Sequence, residues 1–72
     1  DNGATRSILT QREREVLELV AAGSTNREIA RRLFLSHHTV KDHTSALYRK
    51  MGARNRAEAI LRAQRLGLLD NL

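Results

Sequence analysis

The chain has 72 residues, 40% hydrophobic and 29% charged, and its 13 lysines and arginines outnumber 8 acidic residues, for a net charge of +5. A chain of this length forms one small domain without room for a deep substrate cavity, so we do not expect an enzyme. The sequence has no cysteine and no apolar run longer than four residues, which excludes a disulfide framework and a membrane span within it. These features are typical of a cytoplasmic protein.

The basic residues are unevenly distributed along the chain. Residues 1–36 carry six basic and five acidic residues, a net charge of +1, whereas residues 37–72 carry seven and three, a net charge of +4. Because clustered cations attract polyanions, we expect nucleic-acid contacts around residues 37–56. Phe34 and Tyr48 are the only aromatic residues, too few for a protein that stacks single-stranded bases, so a duplex is the expected partner.

Helix start and stop signals divide the chain into four predicted helices. The predicted ranges are 11–22, 26–33, 37–51 and 56–66. Thr10, Thr25 and Asn55 each stand three residues before a glutamate, the pattern of a capping box, and Ser36 can cap the third helix. No strand-like alternation extends beyond a few residues, which predicts an all-α fold. We expect a four-helix domain over residues 8–72, with residues 1–7 as a disordered tail or the remnant of a linker.

Apolar residues recur at helical spacing in each predicted helix. The candidate core residues of the first three helices are Leu9, Val16, Leu17, Val20, Ile29, Ala30, Leu33, Val40, Thr44, Leu47 and Met51. The third helix has the clearest second face, because at 100° per residue a line of polar and basic side chains lies opposite its apolar line. That line contains His38, Asp42, Ser45 and Arg49, with Lys41 at its edge. Such a face suits contact with the wall of a groove.

The fourth helix is apolar over roughly 200° of its circumference, more than one small core can cover. We expect Ala59, Ala63 and Leu66 to form the exposed part of this arc and to contact a second chain. The alternative is that Leu68, Leu69 and the tail fold back over it. An interface of one short helix per chain lies well under the roughly 1,200 Å² of stable complexes, so a homodimer would be weak without a further partner.

Residues 26–44 have the pattern of a helix-turn-helix. Small Ala30 permits close approach of two helices, Leu35 fills the turn and Val40 packs back against the first helix. Ser36 caps the second helix. The position of Phe34 often holds glycine, and a bulky residue at positive φ is strained. We therefore expect a slightly wider turn here.

Three linked motifs carry a resemblance to a known family. They are LTQREREVLELVAAG, STNREIARRLFLSHHTVKDH and YRKMGARNRAEAI, and the match extends over residues 9–69. The chain resembles the LuxR-type (GerE/NarL-like) DNA-binding domain of bacterial transcription regulators. The resemblance implies sequence-specific binding of double-stranded DNA, with the third helix in the major groove, the second helix positioning it, and a homodimer formed through the fourth helix on a two-fold site. It also implies a receiver or sensor domain before this one and a location in the bacterial cytoplasm.

The resemblance places the base-reading positions on the outer face of the third helix. These positions are His38, Lys41, Asp42 and Ser45. Phosphates repel Asp42, so it fits there only if it accepts from cytosine N4, orients Lys41 or lies outside the contact zone. Helix starts and long basic side chains predict the phosphate contacts, which are Thr25, Asn26, Thr39, His43, Arg49 and Lys50. Alternatively, Thr25 only caps its helix. Arg49 and Lys50 could likewise only interact with the dipole at the end of the third helix.

The residues bear on two other functions, metal binding and docking on a protein. A metal site is not expected, because His37, His38 and His43 do not share a helix face at a spacing of three or four, and no cofactor is expected either. A domain of the same fold could instead dock on a protein through its fourth helix. The basic, histidine-rich face of the third helix favours DNA over that alternative.

Overall fold

The computed structural model describes residues 9–69, which form four α-helices and no strand. The helices are α1 (Gln11–Ala21), α2 (Asn26–Leu33), α3 (His37–Met51) and α4 (Arg56–Arg65). The predicted all-α fold is confirmed, and α1 and α4 each end one residue earlier than predicted. The predicted tail, residues 1–7, lies outside the described part of the chain. None of the four helices is long and apolar enough to cross a membrane.

Side-chain caps start all four helices, as predicted. Complete capping boxes form at Thr10 with Glu13 and at Thr25 with Glu28, and the hydroxyl of Ser36 accepts from the Thr39 N–H at 3.0 Å. The fourth cap is incomplete: Asn55 accepts from the Glu58 N–H at 2.9 Å, but the Glu58 carboxylate accepts from the Arg54 N–H at 2.8 Å instead of reaching back to Asn55. Each helix therefore begins where a polar side chain satisfies a free N–H group.

Helix α3 lies at the centre of the fold and contacts α1, α2 and α4, while α2 and α4 do not contact each other. Its inner line is buried as predicted: Val40 and Leu47 are inaccessible, and Thr44 and Met51 are nearly so. The Thr44 hydroxyl donates to the Lys41 carbonyl at 2.9 Å, which satisfies the one polar group on this line. One face of α3 is thus held by three helices.

The prediction that Ala59 and Ala63 form an exposed face of α4 is wrong. Both alanines are completely buried, and Leu68 folds into the same core at 9% exposure. Small side chains at these two positions let α4 lie close to its neighbours, so the alanines are inside because of their size.

The exposed apolar part of α4 lies on its other side. Ala57 and Leu61 lie there one turn apart and are exposed, Leu61 at 46%. Leu66, at the C-terminal end of the helix and about 140° from Leu61, is 40% exposed. Of the three predicted interface residues, Leu66 alone is accessible to a second chain. The residues beyond α4 do fold back on the core, with Leu68 buried and Leu69 partly buried. They leave Leu61 and Leu66 exposed.

The turn between α2 and α3 is tight, and the expected wider turn is wrong. Phe34 ends α2 in the left-handed conformation, with φ 57° and ψ 43°. The next N–H, that of Leu35, donates to the Ala30 carbonyl at 2.9 Å, as in helix ends that usually have glycine. The Phe34 side chain is 94% exposed. The chain therefore accepts a strained φ angle here without gaining contacts for the ring.

We predict that Phe34→Gly raises the free energy of unfolding by about 0.5 to 1 kcal/mol. The left-handed conformation costs a residue with a Cβ roughly 1 to 2 kcal/mol, and the greater freedom of glycine in the unfolded chain offsets part of this gain. Chemical denaturation measures the change. Phe34→Ala is the control, which removes the ring but keeps the Cβ and is expected to change stability by less than about 0.5 kcal/mol. A large loss in Phe34→Ala would contradict the absence of ring contacts.

A buried ion pair joins the start of α1 to the end of α3. Glu13 is 5% exposed, and its Oε1 accepts from the Lys50 Nζ at 2.8 Å and from the Thr10 N–H at 2.9 Å. Burial raises the pKa of Glu13, but the hydrogen bonds from Lys50 and Thr10 outweigh it and hold the pKa below its usual value. Because a buried carboxylate requires such partners, this contact fixes where the end of α3 lies against α1.

We predict that Glu13→Gln lowers the free energy of unfolding at neutral pH by about 1 to 2 kcal/mol, because it removes charge-assisted hydrogen bonds. Since the folded-state pKa of Glu13 is lowered, its contribution is complete above the usual value of 4.5 and is lost as the pH falls through the lower, folded-state value. The difference between the two proteins should therefore shrink as the pH is lowered below 4.5. Glu18→Gln, at an exposed position of α1, is the control and should have little effect. A constant difference across this pH range would contradict the ionic role of Glu13.

Candidate nucleic-acid interface

The outer face of α3 is a continuous polar surface. His38, Lys41, Asp42, Ser45 and Arg49 are all exposed, and they lie opposite the buried line that holds the helix to the core. The four predicted base-reading residues are therefore on one accessible face. Because no apolar side chain interrupts this face, its hydrogen-bonding groups are free to meet a partner.

A contact within this face was not foreseen from the sequence. His38 Nε2 lies 3.4 Å from Asp42 Oδ2, and both side chains are largely exposed, at 83% and 69%. The spacing i, i+4 places two side chains on neighbouring turns, so the signal was present in the sequence. Asp42 thus has His38 as its neighbour on this face.

The start of α2 supplies further candidate contacts. Thr25 is exposed and Asn26 half-buried, at the end of the helix where free N–H groups carry partial positive charge. The Thr25 hydroxyl accepts from the Glu28 N–H at 3.1 Å, so it does cap the helix, but its own hydrogen stays available. In α3, Thr39 and His43 are half-buried. Asn26, Thr39 and His43 thus keep polar groups at the surface while half-buried, and Thr25 is exposed.

The two basic residues at the end of α3 differ. Arg49 is exposed, whereas the Lys50 ammonium is bound to Glu13 and its side chain is only 35% exposed. This pair could not be found from local spacing, because its members are 37 residues apart. Lys50 therefore has a structural contact besides any contact with a ligand.

Arg56 has a structural role that the sequence did not indicate. Its Nη2 donates to the Val20 carbonyl at 2.8 Å and to the Ser24 carbonyl at 2.6 Å. Val20 lies in the last turn of α1 and Ser24 in the loop after it, where carbonyls are not all satisfied within the helix. Arg56 thus ties the start of α4 to the end of α1 and to the loop that leads into α2. Arg54 is exposed and pairs with Glu58 at 3.7 Å.

The arrangement can bind but has little to catalyse with. Its side chains offer hydrogen-bond donors from lysine, arginine, serine and histidine together with one carboxylate, all on an open surface. Among residues 9–69 no group of three or more histidines and acidic side chains could hold a metal ion. An open face of donors suits a large anionic partner.

Known proteins share this sequence and fold. Residues 7–63 match the family described as bacterial regulatory proteins, luxR family. The spore germination protein GerE of Bacillus subtilis is 41% identical over 66 residues, which cover 92% of this chain and 89% of GerE. A solved structure of the transcription factor GerE matches with a TM-score of 0.81 at 38% identity, over 88% of this chain and 94% of that one.

A longer protein matches equally well. The crystal structure of the response regulator ChrA, from a heme-sensing two-component system, matches with a TM-score of 0.82 at 41% identity. The match covers 85% of this chain but 30% of ChrA. The same fold thus occurs in a protein of nearly this size and as a part of a much larger one.

Proposed function

Because the chain belongs to the luxR family of bacterial regulatory proteins and is a DNA-binding domain of a transcription regulator, not an enzyme, we propose that α3 enters the major groove and reads base edges there. In this arrangement α2 positions α3 from behind, and two copies of the domain pair through α4 on a two-fold site. The reading is sequence-specific, and it takes place in the bacterial cytoplasm, where the chromosome is accessible.

The observation that carries this proposal is the division of α3 into two faces. An α-helix of about 10–12 Å diameter fits a major groove about 12 Å wide, provided that one face is free of the protein core. Helix α3 has such a face, and it is polar and basic along its length.

The residues of this face have different proposed roles. Lys41 donates to guanine O6 and N7, and Ser45 donates or accepts at a base edge. His38 and Asp42 complete the base-reading set. The phosphate contacts of this proposal are Thr25, Asn26, Thr39, His43, Arg49 and Lys50. The Lys50 ammonium has three hydrogens, so it can hold Glu13 and a phosphate together.

Pairing through α4 has to use its exposed side. Leu61, with Ala57 one turn earlier on the same side, is the large apolar side chain available there. One short helix per chain buries much less than the roughly 1,200 Å² of stable interfaces. The proposed dimer is therefore weak in solution and forms when two half-sites hold the domains side by side.

We further propose that a receiver or sensor domain controls this one. The support is the response regulator ChrA, in which the matching domain forms 30% of the chain. GerE, of which the match covers 89%, represents the other arrangement, with nearly no chain outside the domain.

We predict that the domain binds random-sequence duplex with an affinity that falls steeply with salt, at a slope of roughly −4 to −7 in log affinity against log salt for a dimer, since each neutralised phosphate releases counterions.

Lys41→Ala should weaken binding to a selected site by about 1 to 3 kcal/mol and leave helical circular dichroism unchanged, because Lys41 is exposed. Gel shifts over a salt series measure both effects.

Arg12→Ala is the matched control for this experiment. It removes one positive charge from α1, where Arg12 pairs with Glu15 at 3.2 Å, and leaves the outer face of α3 intact. The control should keep the preference for the selected site. A slope near zero would refute duplex binding, and equal losses in both variants would show that Lys41 acts only through net charge.

We predict that Leu61→Arg abolishes cooperative occupation of a duplex with two half-sites while binding to one half-site is kept, because the substitution places a charge on the exposed side of α4. Ala63→Arg should instead unfold the domain, since Ala63 is fully buried. Titration of one-site and two-site duplexes, with thermal melting of each variant, separates these effects. Unchanged cooperativity in Leu61→Arg would exclude this side of α4 as the pairing surface.

A further inference from the structure

The His38–Asp42 pair raises a question of charge. Asp42 is the only acidic residue of α3, and it stands in the middle of the face proposed to enter DNA. A lone carboxylate there would be repelled by the phosphates on both walls of the groove. In the structure, however, it lies 3.4 Å from the His38 imidazole, one helical turn earlier.

The chemistry of the two groups determines what the pair can offer to a base. Nε2 is the imidazole nitrogen that lies near the Asp42 carboxylate. An ionised carboxylate only accepts hydrogen bonds, so it favours the tautomer with hydrogen on Nε2. In a neutral imidazole the other nitrogen, Nδ1, is then an acceptor. The second oxygen of Asp42 is an acceptor as well. The pair therefore offers two acceptors to the groove and no free donor.

We infer that His38 and Asp42 act as one unit that reads the exocyclic amino group of adenine or cytosine, an inference that rests on the proposed function of α3. Adenine N6 and cytosine N4 are the only donors that bases present in the major groove, whereas guanine and thymine present acceptors at the equivalent positions. Acceptors facing guanine O6 or thymine O4 would remain unpaired and repel them. Asp42 thus serves as a specificity-determining residue, both directly and by positioning His38.

Because both side chains are exposed, we expect the pair to affect DNA recognition and not the stability of the fold. A contact between two exposed polar side chains at spacing i, i+4 competes with water and contributes little to folding. In the groove the same groups lose water, and an unmatched acceptor there is costly. Substitution of either residue should therefore leave the fold intact and change the sequence that is bound.

Selection from a duplex pool with a randomised centre tests this inference. The wild type should enrich adenine or cytosine over guanine and thymine by about tenfold at one position of one strand per half-site. Asp42→Ala should reduce that preference to less than about threefold, and His38→Ala should relax the same position. The double variant should relax it no further, because the pair acts as one unit.

The affinity for random-sequence duplex gives a second test of the role of Asp42. Removal of its charge should strengthen binding to random duplex a few-fold while the preference is lost. The charge control is Glu18→Ala, which removes an exposed carboxylate from α1, and the imidazole control is His37→Ala, on an adjacent exposed residue that points about 100° away. Both controls should retain the adenine or cytosine preference.

The outcomes separate this inference from the function on which it rests. A selected motif with guanine or thymine at the affected position overturns the inference but not duplex reading by α3. The same conclusion follows if the two single variants relax different positions, or if Asp42→Ala keeps the preference. If the wild type enriches no motif and its binding does not depend on salt, the proposed function fails and this inference fails with it.

Discussion

The structure depends on the burial of one line of α3 along its whole length. Val40, Thr44, Leu47 and Met51 face the core on successive turns, and three other helices contact this helix. Each large apolar side chain buried in this way contributes roughly 1.5 to 3 kcal/mol, whereas an exposed ion pair contributes less than about 1 kcal/mol. The position of α3 is therefore set by the packing of its inner line against the other three helices. Its outer face is free to vary with the partner without loss of the fold.

Two polar contacts orient the helices around α3. Lys50 binds Glu13 at the start of α1, and Arg56 donates to one carbonyl in the last turn of α1 and to one in the loop that follows it. Buried charges and unpaired helix ends are costly, so each contact has few alternative arrangements. Such contacts contribute to the choice of one helix arrangement more than to its total stability. In consequence, α1 is tied at its start to α3 and just beyond its end to α4.

Residue size divides the two sides of α4. Ala59 and Ala63 lie inside, where they allow close packing, and Leu61 and Leu66 lie partly outside. Of these two leucines, Leu61 lies on the same side of α4 as exposed Ala57, one turn earlier. Here the surface is small, which suits an association that depends on DNA to bring two copies together. The strained Phe34 shows a different compromise, because the short turn keeps α2 close to α3 at a cost in backbone energy.

The sequence by itself determined the elements and most of the core. Caps at Thr10, Thr25 and Ser36 and the period of 3.6 residues act within one or two turns, so the four helices and the outer face of α3 could be predicted from local spacing. The tertiary structure alone decided which part of the apolar arc of α4 is inside, since alanine suits the core or the surface equally and the distance between helices selects it. It also decided the partners of Glu13 and Arg56, which are more than 30 residues away in the chain. No local pattern encodes such contacts, because they arise only when packing of the whole chain brings distant helix ends together.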